Sequence, residues 1–176
     1  RATSPYGTDA PVSPLGVYAT SKVAAETAVI EETLDRESLL IVRTGWLYGG
    51  GRRDFVDKVF ESGEAGEDLQ IVDDQRGCPT WTRNAAESVL DLIDLEMSGT
   101  MNVSDAGETT WCEFARAVLD MAGISSVVEG VSSRSFGAPA HRPSYSVLDI
   151  EETELALQRK MIPWRKALRL YMHERS

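Results

Sequence analysis

Cysteine is scarce in this chain, with two residues in 176, and lysine is outnumbered by arginine, four to fourteen. Cys78 and Cys112 show no metal-ligand spacing, and two cysteines in a chain of this length do not make a disulfide framework. His141 and His173 have no partners at metal spacing, so no metal is expected. The thiol pattern reads as a reduced, cytoplasmic protein. No stretch approaches the ~18 consecutive apolar residues of a membrane helix. The start, Arg1-Ala2-Thr3-Ser4-Pro5, has no apolar core of a signal peptide, so no membrane segment is expected. Positive charge is short as well. A formal net charge of −10 repels phosphate backbones and anionic lipid, which argues against nucleic acid as a partner, although one or two local arginines can still hold a diphosphate. Finally, no Gly-x-Gly-x-x-Gly or Gly-x-x-Gly-x-x-Gly follows any strand-like run, so the chain carries no glycine turn of the kind that cradles a dinucleotide pyrophosphate.

What is present is ordinary for one globular unit: 42% hydrophobic and 26% charged residues. Residues 1–15 hold Pro5, Gly7, Pro11 and Pro14 without apolar periodicity and read as a loop. A helix is expected over Val17 to Leu34, with a stripe of small residues, Ala24, Ala25, Ala28 and Val29, suited to close packing. Leu39-Leu40-Ile41-Val42 is a short apolar run, the pattern of a strand buried on both faces in a parallel sheet, with polar residues at its carboxyl end. Gly49 to Arg53 is a glycine-rich loop opening a helix from Asp54 to Ser62. It lacks the spacing and the Lys-Ser/Thr of a P-loop. Leu69 to Val72 reads as a strand and Asp73 to Thr82 as a functional loop. Thr82 is the expected N-cap of a helix turning Ala86, Val89, Leu90, Ile93 and Met97 inward. A short strand over Thr100 to Val103 precedes a capping box, Thr110 with Glu113. A strand over 127–131, an irregular segment from Ser132 to Ser146, a helix through Lys160 and a last one opened by Pro163 complete the chain. Alternating strands and helices give an α/β class with a parallel sheet.

Chemistry enters at Tyr18-Ala19-Thr20-Ser21-Lys22. On a helix, Tyr18 and Lys22 are i and i+4 neighbours on one face. An ammonium beside a phenol favours phenolate, so such a tyrosine can pass a proton to a carbonyl oxygen as hydride reaches its carbon.

Pro14 to Glu26, then Ile41-Val42-Arg43-Thr44-Gly45-Trp46-Leu47-Tyr48-Gly49, then Val72-Asp73-Asp74-Gln75-Arg76-Gly77-Cys78-Pro79-Thr80 resemble, in order and spacing, the dTDP-4-dehydrorhamnose reductase family of extended short-chain dehydrogenases/reductases. The resemblance covers essentially the whole chain. It implies the carboxyl-terminal part of a Rossmann-like parallel-sheet domain plus a smaller α/β substrate-binding domain. Residues 1–48 would end the nucleotide-binding domain, and 49–176 would be mainly substrate domain, with the strand near 69–72 returning to the main sheet. By the same resemblance Tyr18 is the proton donor, and Lys22 bonds the nicotinamide ribose and tunes the phenol. Both touch the cofactor, NADPH or NADH, as do Arg43 and Thr44. Trp46, Asp74, Gln75, Pro79, Thr80 and Arg142 would meet the sugar nucleotide. Gly45 and Cys78 depart from the more usual small or hydroxyl residues, with Cys78 read as a filler. The implied activity is reduction of the 4-keto group of a dTDP-deoxysugar. The glycine-rich cofactor half and the third member of the catalytic triad lie outside this sequence, so the chain is expected to be inactive alone and to pair with itself or with the missing amino-terminal half. A non-catalytic sugar-nucleotide-binding or regulatory module of the same fold, or an NDP-sugar epimerase or dehydratase, stands as the alternative.

Overall fold

The computed structural model describes residues 4–51, 53–138 and 140–175. Of the segments read above, the first three residues and Arg52 of the glycine loop lie outside the described residues. After an extended lead-in come α1 (Gly16–Glu32), a 3-10 turn (Arg36–Ser38), β1 (Leu40–Arg43), β2 (Leu47–Tyr48), α2 (Phe55–Glu64), β3 (Leu69–Val72), β4 (Arg76–Gly77) and β5 (Thr80–Trp81). Then follow α3 (Thr82–Asp94), β6 (Gly99–Asn102), β7 (Thr109–Thr110), α4 (Trp111–Ala122), β8 (Val128–Val131), α5 (Ser133–Phe136), α6 (Glu151–Ala156) and α7 (Trp164–Arg175).

Helix ends follow local hydrogen bonding. The expected box at α4 is present: Glu113 N–H donates to the Thr110 hydroxyl at 3.1 Å, and Thr110 N–H donates to the Glu113 carboxylate at 3.2 Å. Gly123, at φ 68°, stops the helix in the left-handed conformation that only glycine adopts without cost. A second box, Asp54 with Asp57, opens α2, built from two carboxylates where the sequence offers no Ser/Thr-x-x-Glu. Thr82 is not a cap. It is the first helical residue of α3, and Trp81 stands at the N-cap with its N–H bonded to the Asp105 carboxylate at 3.0 Å. The inward face of α3 also differs from the expected one, since Ser88 and Leu92 are buried while Leu90 and Ile93 are more than half exposed. Two apolar stripes run along this helix, and the one holding Ala85 and Leu92 packs beside β1 and β6.

The strands pair two by two: β1 with β6, β2 with β5 and β3 with β8, all parallel, and β4 with β7 antiparallel. The class is α/β with parallel sheet pieces. The strand at Leu69–Val72, expected to return to the main sheet, is not a neighbour of β1. It pairs with β8, and β6 is the strand beside β1. The apolar partners explain the choice. Leu69, Ile71 and Val128 pack on the core of α2, α4 and α7 around Phe114, Val56 and Leu168. Leu40 and Val42 pack instead with Leu92, Met101, Val103 and Met161. Each fully buried side chain of that size contributes roughly 1.5–3 kcal/mol by leaving water. With one strand neighbour among the described residues, β1 is half-buried along its length rather than enclosed. None of the described helices is long and apolar enough to cross a membrane.

Candidate functional site

The i, i+4 expectation for α1 holds geometrically. Lys22 Nζ lies 5.5 Å from the centroid of the Tyr18 ring, over its face, a contact worth about 0.5–1 kcal/mol at an exposed position. Tyr18 is 75% exposed, and α1 contains no buried residue, so both functional groups stand on an open face. Ala19, the next residue, turns into a cleft described below.

Arg43 closes β1 but points back to α1. Its Nη2 meets the Glu26 carboxylate at 2.7 Å, its Nε donates to both Glu26 oxygens at 3.1 and 3.2 Å, and its Nη1 donates to the Thr8 carbonyl at 2.8 Å. Expected at the cofactor, it is a clamp on the helix that carries Tyr18 and Lys22. The Glu26 hydrogen bond, outweighing partial burial, which acts the other way, holds its guanidinium above the ordinary pKa. Thr44 follows, exposed.

Trp46 sits at φ 50°, a left-handed conformation costly for a bulky residue and found where packing over-determines the chain. Its indole stacks on Trp111 with centroids 3.6 Å apart and planes at 7°. Gly77 abuts the same ring, since a Cβ there would fall 2.3 Å from Cε2. Trp46 is therefore half-buried, with one face already taken. Pro79 and Thr80, read as substrate residues, are buried. Thr80 is wholly so, its N–H donating to the Trp46 carbonyl at 3.1 Å. Parallel pairing of β5 with β2 draws both into the core, and they hold the loop rather than face solvent. Cys78 is a filler as expected: its Sγ donates to the Asp105 carbonyl at 2.7 Å, and burial first, Asp105 second, push its thiol up to about 12.

The remaining residues converge. A cleft of about 870 Å³ opens between the lead-in, the start of α1, the 74–75 turn and the 133–145 segment, within the range of small-molecule sites. Asp74, Gln75 and Arg142, read above by resemblance as sugar-nucleotide residues, line it, and Ala19 brings α1 to its edge. Sequence reading missed Tyr6, Ser133, Arg134 and Tyr145, which line it too. The signal lay in Ser132, whose hydroxyl accepts from Ser135 N–H and caps α5 inside a stretch taken as irregular. Backbone hydrogen bonds from Arg76 to Ser144 and from Ser146 to Arg76, 2.9 and 2.8 Å, hold the far end of the wall. Tyr145 and Arg76 both bond Glu108, at 2.9 and 2.6 Å. Arg134 and Arg142 form no ion pair among the described residues, and they line the cleft together with one carboxylate residue, Asp74, in a chain of net charge −10. Chemically this is a ligand-sized hollow of mixed polar and apolar lining, with two arginines and one carboxylate on its wall, beside an exposed Tyr–Lys pair.

Comparison with known proteins agrees in extent. The family model described as RmlD substrate binding domain matches residues 1–176. The chain is 36% identical over 176 residues to the spore coat polysaccharide biosynthesis protein SpsK of Bacillus subtilis, covering all of this chain and 60% of that one. It is 38% identical over 171 residues to the dTDP-4-dehydrorhamnose reductase of Streptomyces griseus, covering 93% of this chain and 55% of that one. A crystal structure of the dTDP-4-dehydrorhamnose reductase of Bacillus anthracis in complex with NADP superposes with a TM-score of 0.91 at 32% identity, over 97% of this chain and 59% of that one. The chain thus spans little more than half the length of these relatives.

Proposed function

Because this chain belongs to the RmlD substrate binding domain family, the dTDP-4-dehydrorhamnose reductase family of its motifs, we propose that it is the sugar-nucleotide-binding part of a reductase acting on the 4-keto group of a dTDP-deoxysugar. The cleft is the observation that carries this reading: two arginines without an ion pair among the described residues, in an acidic chain, suit a diphosphate. The hollow is also large enough for a nucleotide and a pyranose. Residues 1–48 then belong with a dinucleotide-binding domain and 49–176 mainly with the substrate domain, apart from β6, which pairs with β1. The two buried free thiols suit a reducing, cytoplasmic setting.

A nicotinamide dinucleotide fits this chain at one end. The exposed Lys22 ammonium over the Tyr18 ring offers donors for a ribose hydroxyl, and Thr44 lies exposed beyond β1. Bound there, NADPH or NADH supplies the hydride. Tyr18 would hold its phenolic proton toward the ketone oxygen and release it as charge develops there, with Lys22 stabilising the phenolate left behind. Arg43 positions this pair through Glu26 rather than touching the cofactor. Arg142 would hold the diphosphate, while Asp74 and Gln75 shape the wall. Trp46, stacked on Trp111, would offer only the edge and free part of its indole to the sugar.

Calorimetric titration of the 176-residue chain with dTDP tests this. Saturable binding, weakened about tenfold or more in Arg142→Ala as expected for loss of a charged hydrogen bond, supports it. Absence of binding in the wild type removes the sugar-nucleotide reading.

A further inference from the structure

Ser133 has one hydroxyl proton, and Asp74 decides where it goes. The Asp74 carboxylate accepts the Ser133 hydroxyl and also the Ser133 backbone N–H, the latter at 3.0 Å to each oxygen. A carboxylate only accepts, so the Ser133 oxygen has no proton left for its other neighbour and can only accept from it. That neighbour is Gln75. Its Nε2 donates to Ser133 Oγ at 2.9 Å. Gln75 is 7% exposed, so its amide has little room to find other partners. Its carboxamide oxygen makes no hydrogen bond among the described residues, yet it is not among the atoms sealed from solvent. The residue lines the cleft.

We infer that Ser133 is a positioning residue that fixes the Gln75 carboxamide in one flip, so that the cleft wall offers an acceptor there and selects ligands carrying an N–H or O–H at that place. The inference rests on the sugar-nucleotide reading of the cleft. Two parts of a nucleoside diphosphate sugar carry the required donor: the imide N–H of a pyrimidine base and the hydroxyls of the sugar. The chain of polarity runs one way, from Gln75 NH2 to Ser133 oxygen and from Ser133 hydroxyl to Asp74, and each link depends on the next. A threonine at 133 keeps the chain, whereas an alanine breaks both links. Asp74→Asn permits its reversal: the introduced amide donates to Ser133, Ser133 donates to the Gln75 oxygen, and the Gln75 NH2 faces the cleft instead.

Two measurements decide it, one without ligand. In a 15N–1H spectrum of the chain, the Gln75 side-chain NH2 pair is expected apart from solvent-exposed glutamine positions. It should stay there in Ser133→Thr and collapse toward them in Ser133→Ala. A free-glutamine position in the wild type overturns the inference. For selectivity, calorimetry compares dTDP with N3-methyl-dTDP for the base, and dTDP-glucose with its deoxyfluoro analogues for the sugar. The wild type is expected to prefer the donor-bearing member of one pair by about tenfold, the worth of one good hydrogen bond. Ser133→Ala should flatten that preference, Ser133→Thr restore it and Asp74→Asn lose or reverse it. A preference unchanged in Ser133→Ala, or absent from both pairs in a wild type that binds dTDP, overturns the inference. If the wild type binds no dTDP, the sugar-nucleotide reading fails, and the Gln75 spectrum alone judges whether Ser133 orients the amide.

Discussion

Arg43 grips Glu26 through three hydrogen bonds of 2.7 to 3.2 Å, tying the end of β1 to the middle of α1. No residue of α1 is buried, so hydrophobic packing contributes little to its position. The guanidinium fork, which matches a carboxylate bidentately, is the main side-chain tether. Arg43→Lys replaces the fork by a point charge and should loosen α1. Hydrogen exchange is expected to speed in residues 17–30 and to stay unchanged in α4, whose core contacts are separate. Equal protection of α1 in both proteins would show that the tether is idle.

The Tyr18 phenol and Lys22 ammonium share one exposed face of that helix. In a reductase that joins this chain to a dinucleotide-binding half, Tyr18→Phe removes the proton but keeps the ring. Turnover should fall by about 10²–10⁴, with sugar-nucleotide affinity nearly unchanged. Steady-state kinetics check it, and a loss below tenfold at saturating substrate would take Tyr18 out of the chemistry.

Much of this was legible from residues and some was not, for physical reasons. The Thr110–Glu113 box is a local device, written in four consecutive residues, and it appears where expected. The i, i+4 relation of Tyr18 and Lys22 is equally local. The two stripes on α3 could not be ranked, because Leu90 and Ile93 are as apolar as Leu92 and only the position of β6 decides which stripe is covered. Strand partnership was hidden for the same reason: the choice of β8 by Leu69–Val72 depends on α4, which lies between them in the chain. At the site, Asp74, Gln75 and Arg142, named through the resemblance of their motifs, line the cleft. Pro79 and Thr80 shared a motif with them but not a direction, since pairing of β5 with β2 turns them inward.

Gly77 is required by Trp46. A Cβ at this position would lie 2.3 to 2.7 Å from three atoms of the indole, and the ring cannot retreat because Trp111 is stacked on it. Gly77→Ala should therefore cost about 1–3 kcal/mol, the usual range for overpacking, and break the indole stack. Denaturant unfolding measures the first effect and near-ultraviolet circular dichroism the second. Wild-type stability with an intact stack would mean that the β4 backbone yields without loss.

Asp105 sets a pH dependence of stability. Desolvation, opposed by hydrogen bonds from Trp81 N–H and the Asn84 amide, raises its carboxyl from 3.8 to about 6. The native state thus binds the proton more tightly than the unfolded chain. The resulting stabilisation is fully present below the unfolded value and lost as pH rises through 6. Between pH 5 and 7.5 this group should remove about 1 kcal/mol of stability. Glu113 and Glu154 are shifted downward and act oppositely at lower pH, so the informative quantity is the difference between wild type and Asp105→Asn. The introduced amide keeps both hydrogen bonds if Asn84 flips. Urea unfolding at the two pH values should show the fall in the wild type and not in the variant; parallel slopes would place the titration elsewhere.

The last expectation concerns the dinucleotide. A nicotinamide dinucleotide is held chiefly by its pyrophosphate, which needs a glycine turn leading into a helix N-terminus. The sequence has no such turn after a strand, and Arg43, at the end of β1, is already neutralised by Glu26. On the proposed reading, Tyr18 and Lys22 reach only the ribose and nicotinamide end. The 176-residue chain by itself should therefore bind dTDP but show little affinity for NADPH, and should not oxidise it in the presence of a dTDP-4-keto sugar. The two titrations separate the halves of the reading, since the cleft lies within this chain and its sequence holds no glycine turn for a pyrophosphate. Adding a dinucleotide-binding half from a relative is expected to restore NADPH binding, and a flattened response in Lys22→Ala would confirm the ribose contact. Micromolar NADPH binding together with turnover in the isolated chain would mean that the cofactor site is built from residues assigned here to the sugar nucleotide, with Arg134 and Arg142 the first to re-examine.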